Sequence, residues 1–323
     1  MSLKTKAIAL AAAAALALAG CSSPAATTDT AADHSDLKIC VYTHGDGGSF
    51  WSVAQKGAEA AAADLGVTLD YQGSTNDAAK QASTIDAGVA AGCSGIAASA
   101  PDPEAIKTAM LAADAAGIPT VTMNSGSAVF TSLGAFTHVG QDEIIAGQQA
   151  GLRYNAMGVK HVLCPIQEAN NVGLQDRCKG LSQTFKGKTT NFNLDGGLAD
   201  LTAASAKIKA ALQADSSIDA VFALNADIAA KAVLPAATDL GLSLKIGTVD
   251  MSPEALDAIE AGTMEFAIDQ QQYAQGYMSV VLLYLALTNG NELGGGAPVY
   301  SGPGFVTADN VANVKALVAA GTR

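Results

Sequence analysis

The chain has 323 residues and a formal net charge of −12, and 49% of its residues are hydrophobic. The acidic balance argues against nucleic acid or an anionic lipid surface as a partner, because both carry negative charge themselves. The length is sufficient for two hydrophobic cores.

The N-terminus has the pattern of an export signal. Lys4 and Lys6 precede an apolar, alanine-rich run over residues 8–18, which is too short to remain as a membrane span. The run ends in Leu-Ala-Gly-Cys at Cys21, which resembles a bacterial lipobox. We therefore predict a lipoprotein signal peptide over residues 1–20 and a lipid on Cys21; an ordinary secretory signal with an incidental cysteine is the alternative.

Residues 21–36 are rich in Ser, Ala, Thr and Asp and predict a flexible, lipidated tether. Removing the signal takes away two of the 18 basic residues and no acidic one, which leaves 16 against 30 and a net charge of about −14. We expect an extracytoplasmic protein, lipid-anchored to the cell membrane in the periplasm or at the outer cell surface. Its contact with the membrane is expected only through that anchor.

From Leu37 onward, short apolar runs alternate with amphipathic, alanine-rich segments. The runs that predict strands are residues 37–42, 67–71, 95–99, 119–123, 161–165, 190–194, 220–224, 244–249 and 265–268. Helical patterns lie between them, for example at residues 52–65, 78–91, 103–116, 143–157 and 201–214. This alternation predicts an α/β fold with two doubly wound, Rossmann-like parallel sheets and a ligand cleft between them. Pro235 predicts a kink or a helix boundary.

Four cysteines follow Cys21. Cys164 ends a predicted strand and Cys178 lies in the next helix, so a disulfide between them and two free thiols are both open alternatives. Cys40 and Cys93 have the pattern of free, buried residues. No cysteine or histidine spacing indicates a metal site.

The loop after the first strand combines glycines with an aromatic pair. Gly45, Gly47 and Gly48 are similar to a dinucleotide-binding loop, but Phe50 stands where its third glycine belongs, so we expect no cofactor. Phe50 and Trp51 are candidates for packing on a sugar ring. The alternative is that they are core residues at the start of a helix.

Polar side chains follow the other predicted strands. They are Asn124, Ser125, Asn170, Asn171, Arg177 on the following helix, Asn225, Asp250 and Gln270. Each of them alone is as well explained as a helix N-cap or a surface group. Together they place amides, a carboxylate and a guanidinium at successive strand ends, and such groups can hydrogen-bond the hydroxyls of a neutral polyhydroxyl ligand.

The chain resembles the type I periplasmic binding protein family, especially its ribose-like, monosaccharide-binding members. The resemblance spans residues 37–311, and its motifs include Ala-Gly-Ile-Pro at 116–119, His-Val-Gly-Gln-Asp at 138–142, Ala-Val-Phe-Ala-Leu-Asn at 220–225 and Val-Asp-Met-Ser-Pro-Glu at 249–254. The resemblance implies that the sugar-binding positions of the family fall on Phe50, Trp51, Arg177, Asn225, Asp250 and Gln270.

The first half of that site departs from the family pattern. Ribose-type members carry an Asp-Arg pair where this chain has Asn124 and Ser125, which puts ribose itself in doubt but not the sugar class. We expect His44 and Asp46, in a slightly longer first loop, to supply part of the lost polarity.

The resemblance also implies three passages between the domains, near Gly140, Gln270 and residues 299–301. The predicted N-terminal domain is residues 37–139 plus 271–298, and the predicted C-terminal domain is residues 140–270 plus 299–323.

Three classes of function remain to be weighed. The first is the solute-binding protein of an ABC importer, a monomer that delivers a small neutral sugar or polyol to a permease with its ATPase. The second is a sensory sugar or autoinducer-type receptor on the same fold. An enzyme is disfavoured, because no nucleophile elbow, phosphate loop or acid–base pair is present.

Overall fold

The computed structural model describes residues 34–323. The predicted signal peptide, Cys21 and most of the predicted tether therefore lie outside the described residues. The strands are β1 (His34–Thr43), β2 (Val67–Gly73), β3 (Gly95–Ser99), β4 (Thr120–Met123), β5 (Thr137–Gln141), β6 (His161–Ile166), β7 (Lys188–Asn193), β8 (Ala220–Ala223), β9 (Lys245–Val249), β10 (Phe266–Asp269), β11 (Val299–Gly302) and β12 (Gly304–Val306). Residues 34–36, predicted to end the tether, are part of β1.

The helices alternate with these strands. They are α1 (Gly48–Leu65), α2 (Ala78–Ala90), α3 (Pro103–Ala115), α4 (Glu143–Ala156), α5 (Val172–Thr184), α6 (Leu201–Ala214), α7 (Ala226–Ile228), α8 (Leu234–Leu240), α9 (Pro253–Glu260), α10 (Gln272–Asn289) and α11 (Val311–Ala319). Helix α8 follows a π-helical turn and carries Pro235 in its first turn, so the predicted helix boundary is confirmed.

The strands form two six-stranded sheets. Their orders are β11-β5-β4-β3-β1-β2 and β12-β10-β9-β8-β6-β7. Neighbouring strands are parallel throughout, except that β12 pairs with β10 in the antiparallel direction. The two orders match strand for strand, so the two lobes repeat one plan and the predicted pair of parallel-sheet α/β domains is confirmed.

The third passage between the lobes differs from the sequence-based expectation. Strand β11 pairs with β5 in the first sheet, whereas β12 pairs with β10 in the second. The chain therefore passes between the lobes at Pro303, and residues 299–302 belong to the first lobe rather than the second. Strand β5, which was not predicted as a strand, has the sequence THVGQ and carries too few apolar residues to give a strand signal.

Alternation along β1 divides the first core between two faces. Ile39 and Val41 pack in the cluster that contains α1 and α10, while Cys40 and Tyr42 pack in the cluster with α2 and α3. Helix α10 therefore packs in the core of the first lobe. In the second lobe α4 and α5 cover one face, and α6, α8, α9 and α11 cover the other.

Two disulfides lie in these cores. Cys164 and Cys178 are bonded to each other, with their Cα atoms 6.1 Å apart. Cys40 and Cys93 are also bonded, so the expectation that they are free thiols is wrong. The two cysteines are 53 positions apart in the sequence, which conceals the pairing, since only the parallel pairing of β1 with β3 brings their Cα atoms to 5.9 Å.

Among residues 34–323, the structure contains no helix with the length and hydropathy required to cross a membrane.

Candidate ligand-binding cleft

A cavity of about 380 Å³ lies where the carboxyl ends of the two sheets face each other. All ten residues predicted to bind a ligand line it: His44, Asp46, Phe50, Trp51, Asn124, Ser125, Arg177, Asn225, Asp250 and Gln270. The cleft continues outward into a second cavity of about 430 Å³ between the Thr75 and Asp195 loops. Both volumes are in the range of small-molecule sites.

Asn124 and Asp250 occupy equivalent places in the two lobes, directly after β4 and β9. Both have left-handed backbone conformations, with φ of 61° and 69°. The backbone N–H of Asn124 donates to Val139 at 2.9 Å and that of Asp250 donates to Ile268 at 2.8 Å, so each turn is tied to the neighbouring strand. Asparagine and aspartate tolerate this conformation better than other side chains, although it still has a conformational cost. The repeated turn directs a short polar side chain into the cleft from each lobe.

Asp250 lies in a buried hydrogen-bond network at the inner end of the cleft. Its Oδ1 accepts from Gln270 Nε2 at 2.5 Å, and its Oδ2 accepts from Asn225 Nδ2 at 3.3 Å. Gln270 Oε1 accepts in turn from Arg177 Nη2 at 3.0 Å and from Asn124 Nδ2 at 3.5 Å. The last bond links the two lobes directly.

Arg177 is held by a partner that the sequence analysis missed. Its Nε donates to Glu143 Oε2 at 2.6 Å and its Nη2 donates to Glu143 Oε1 at 2.9 Å, while Nη1 donates to the carbonyl of Leu224 at 3.1 Å. The side chains of both members of the pair are only 4% exposed. Glu143 is the first residue of α4. Acidic residues are common at this position because the N-terminus of a helix carries a partial positive charge, so the sequence position alone does not indicate the contact with Arg177.

Two glycines allow this ion pair to form. A Cβ at Gly147 of α4 would lie 2.0 Å from the carbonyl oxygen of Arg177, and a Cβ at Gly180 of α5 would lie 2.1 Å from that of Ile144. Helices α4 and α5 therefore approach through glycine contacts, which brings the first turn of α4 against Arg177.

Burial shifts the ionisation of the cleft. It raises the pKa of Asp250 to about 6, although the charge of Arg177 and the Gln270 hydrogen bond oppose the shift. Burial likewise lowers the pKa of His44, which keeps that ring neutral at pH 7. Burial alone would lower the pKa of Arg177, but the charge of Glu143 and its hydrogen bonds raise it above the ordinary value. The guanidinium therefore stays charged.

The aromatic residues form one side of the cavity. The Trp51 ring meets the rings of His44 and Phe50 edge to face, each at a centroid distance of 4.8 Å. Phe50 also belongs to the core of the first lobe and is 6% exposed, so it serves the core as well as the cavity. A Cβ at Gly45 would lie 2.1 Å from the indole nitrogen, so this glycine makes room for Trp51.

The outer part of the cleft is lined by Asn171, one of the polar residues at the strand ends, and by Glu168, Asp227 and Ser49, which were not predicted. Asn171 accepts from Ser125 Oγ at 3.2 Å, and Glu168 Oε2 lies 3.7 Å from His44 Nε2. Asp227 accepts from Ser49 Oγ at 3.3 Å. These contacts cross the cleft, and they involve loop positions whose proximity depends on how the lobes face each other.

The chain matches known proteins over most of its length. A family model described as the periplasmic binding protein domain matches residues 39–292. The crystal structure of a carbohydrate transporter from Acidothermus cellulolyticus 11B, in complex with myo-inositol, has 44% sequence identity and a TM-score of 0.85, covering 89% of this chain and 99% of that one.

Two curated relatives are more distant. A putative rhizopine-binding protein of Rhizobium meliloti is 29% identical over 252 residues, which is 72% of this chain and 78% of the relative. A xylose/arabinose-binding protein of Sulfolobus acidocaldarius is 23% identical over 305 residues, covering 86% of this chain and 73% of the relative.

Proposed function

The chain belongs to the periplasmic binding protein domain family, and we propose that it is the lipid-anchored solute-binding protein of an ABC importer. We propose a small, neutral, cyclic polyol as its ligand. The ligand class includes myo-inositol and monosaccharides. Members of this family are binding proteins rather than enzymes.

The buried polar network of the cleft is the observation that carries the proposal. Asn124, Asn225 and Gln270 supply amides, Asp250 supplies a carboxylate and Arg177 supplies a guanidinium, and all five are at most 9% exposed. A ring hydroxyl both donates and accepts, so it needs donors and acceptors at fixed positions on all sides. A hydrocarbon ligand would offer no hydrogen-bond partner to the donor and acceptor positions that the network leaves open, and each buried group left without a partner costs about 1–3 kcal/mol.

The 44% identical relative in complex with myo-inositol supports a six-membered ring polyol. The aromatic wall of Phe50 and Trp51 supports the same class, since aromatic rings pack against the C–H groups of such rings. A thermal-shift screen of the purified protein against myo-inositol, its stereoisomers, pentoses, hexoses and linear hexitols tests the ligand class. A ligand that binds only the folded state raises the midpoint by mass action. We expect the largest shift with a cyclic polyol, and shifts confined to linear or charged compounds would contradict the proposal.

The anchor and the permease partner are further parts of the proposal. The Leu-Ala-Gly-Cys sequence at Cys21 supports the anchor, and membership of the family supports the permease partner. We expect the full-length wild-type protein to fractionate with membranes and Cys21→Ala to appear in the soluble fraction. Glu104→Gln is the control, because it changes an exposed side chain and leaves Cys21 in place. Soluble wild-type protein would contradict the anchor.

A further inference from the structure

We propose that Glu143 is a specificity-determining residue: by neutralising Arg177 from outside the cavity, it makes the cleft reject anionic ligands. The inference rests on the proposed function and deepens it. Glu143 is not among the residues that line the 380 Å³ cavity, whereas Arg177 is. Glu143 therefore acts on the ligand through Arg177 and is a positioning residue.

The hydrogen bonds that Arg177 makes within the protein leave few of its N–H groups free to bind a ligand. A guanidinium has five N–H groups in a fixed fork. Nε–H and one Nη2–H bind Glu143, the other Nη2–H binds Gln270, and one Nη1–H binds the carbonyl of Leu224. A single Nη1–H remains. The paired donors with which arginine holds a carboxylate or phosphate are already occupied by the protein's own carboxylate.

Glu143 is firmly fixed in this role. It is 3% exposed, and its Oε2 accepts from Gln141 Nε2 at 2.7 Å in addition to Arg177 Nε. The N-cap aspartate, Asp142, fixes the start of α4 by accepting from Ile145 N at 2.8 Å. The carboxylate cannot turn away from Arg177 without breaking this set of bonds.

The charges that remain in the cavity are negative. Of the described lining residues, Arg177 is the one with a permanent positive charge, while Asp46, Glu168, Asp227 and Asp250 also line the cavity. Asp227 is paired with Lys231 at 2.8 Å, but Asp250 has only amide donors and no ion pair. An anionic ligand would lose its hydration and meet the Asp250 carboxylate, which has no direct ion-pair partner, at short range. A neutral polyol instead offers hydroxyl donors to it.

The test measures a ratio of affinities by isothermal titration calorimetry. The neutral probe is myo-inositol, and the anionic probes are quinate, a cyclohexane polyol carboxylate, and D-glucuronate. Wild-type protein, Glu143→Gln and Glu143→Asp are compared. The matched control is Glu104→Gln, which removes an exposed carboxylate from the first turn of α3 and changes the net charge equally.

We expect wild-type protein to bind myo-inositol at least 100-fold more tightly than either anion. Glu143→Gln should reduce this ratio at least tenfold, because Arg177 then presents an unneutralised charge to the cleft. Glu143→Asp keeps the charge and should keep the ratio within about threefold, even if both affinities fall. Glu104→Gln should leave both affinities unchanged. Structural damage alone would weaken both kinds of ligand and leave the ratio as it was.

An unchanged ratio in folded Glu143→Gln would overturn the role of Glu143, and so would wild-type protein that binds an anion within tenfold of myo-inositol. If Glu143→Gln does not fold, Glu143→Asp still decides, since a collapsed ratio in that charge-preserving variant contradicts the charge account. Wild-type protein that binds no neutral polyol would instead refute the proposed function, which separates the two failures.

Discussion

Asp250 is a carboxylate whose ionisation is expected to control binding. It is 5% exposed, and burial raises its pKa to about 6. The charged groups that act on it are Arg177, Glu143 and Asp227. A ligand hydroxyl that donates to the ionised form lowers this pKa, so binding releases a proton when it starts from the protonated form. The affinity for the ligand is therefore highest above pH 6 and decreases as the pH falls through about that value.

We predict that the affinity for a neutral polyol falls severalfold between pH 7.5 and pH 5 in wild-type protein. Asp250→Asn should bind at least tenfold more weakly at pH 7.5 and should lose most of this pH dependence. Calorimetric titrations at several pH values measure both effects. Burial lowers the pKa of His44, the other titratable ring in the cleft, so His44→Gln is compared in the same titrations and should keep the wild-type pH dependence. An Asp250→Asn protein with the wild-type profile would contradict the assignment.

Arg177 is expected to matter for stability as well as for binding. Arg177→Ala would leave Glu143 buried without its counter-charge, and breaking a buried pair in this way typically costs about 3–5 kcal/mol. We predict a free energy of unfolding lower by about that amount in urea denaturation. Lys209→Ala, which removes a partly exposed ion pair with Asp239, should cost less than about 1 kcal/mol. Equal losses of unfolding free energy in the two variants would contradict the prediction, because the buried ion pair would then contribute no more to stability than the exposed one.

At the scale of elements, the contact between α4 and α5 determines whether the ion pair can form. Gly147→Ala would place a Cβ 2.0 Å from the Arg177 carbonyl, which is backbone and cannot rotate away. The gain in helix propensity of about 1 kcal/mol is smaller than the cost of forcing two packed helices apart.

We predict that Gly147→Ala lowers the free energy of unfolding by about 1–3 kcal/mol and also weakens ligand binding, because Glu143 and Arg177 are displaced relative to each other. The control is Gln149→Ala on the exposed side of α4, which should change neither quantity. Urea denaturation and calorimetry provide the two measurements. Wild-type affinity in a destabilised Gly147→Ala protein would contradict the prediction, because the packing of α4 on α5 would then affect stability without affecting the geometry of the binding site.

The elements that the sequence predicts best are those with a clear apolar period. The run at residues 95–99 is fully buried and forms β3 with the same bounds, while the sequence THVGQ of β5 carries no such period. The polar strand ends were predictable because parallel strands end at one edge of a sheet. The ion pair of Glu143 with Arg177 and the Cys40–Cys93 disulfide were not predictable, because each depends on packing between segments that are far apart in the chain.

At the scale of the whole molecule, the two lobes share one cavity and are linked across it. Backbone and side-chain contacts that cross the cleft include Val172 N to the carbonyl of Pro101 at 3.0 Å, Ser125 to Asn171 and Ser49 to Asp227. The chain passes between the lobes beyond β5, beyond β10 and at Pro303. A ligand held by residues of both lobes is expected to stabilise this facing arrangement.

Titration of the purified protein with myo-inositol tests whether the cleft binds a neutral polyol. Calorimetry gives the stoichiometry, and fluorescence reports on the cavity, because Trp51 is the only tryptophan in the sequence and lines it. We predict one binding site per chain, a dissociation constant on the order of micromolar or lower, and a change in tryptophan emission that saturates at the same concentration. A protein that binds only phosphorylated or acidic compounds, with no response to myo-inositol or any other neutral polyol, would contradict the account.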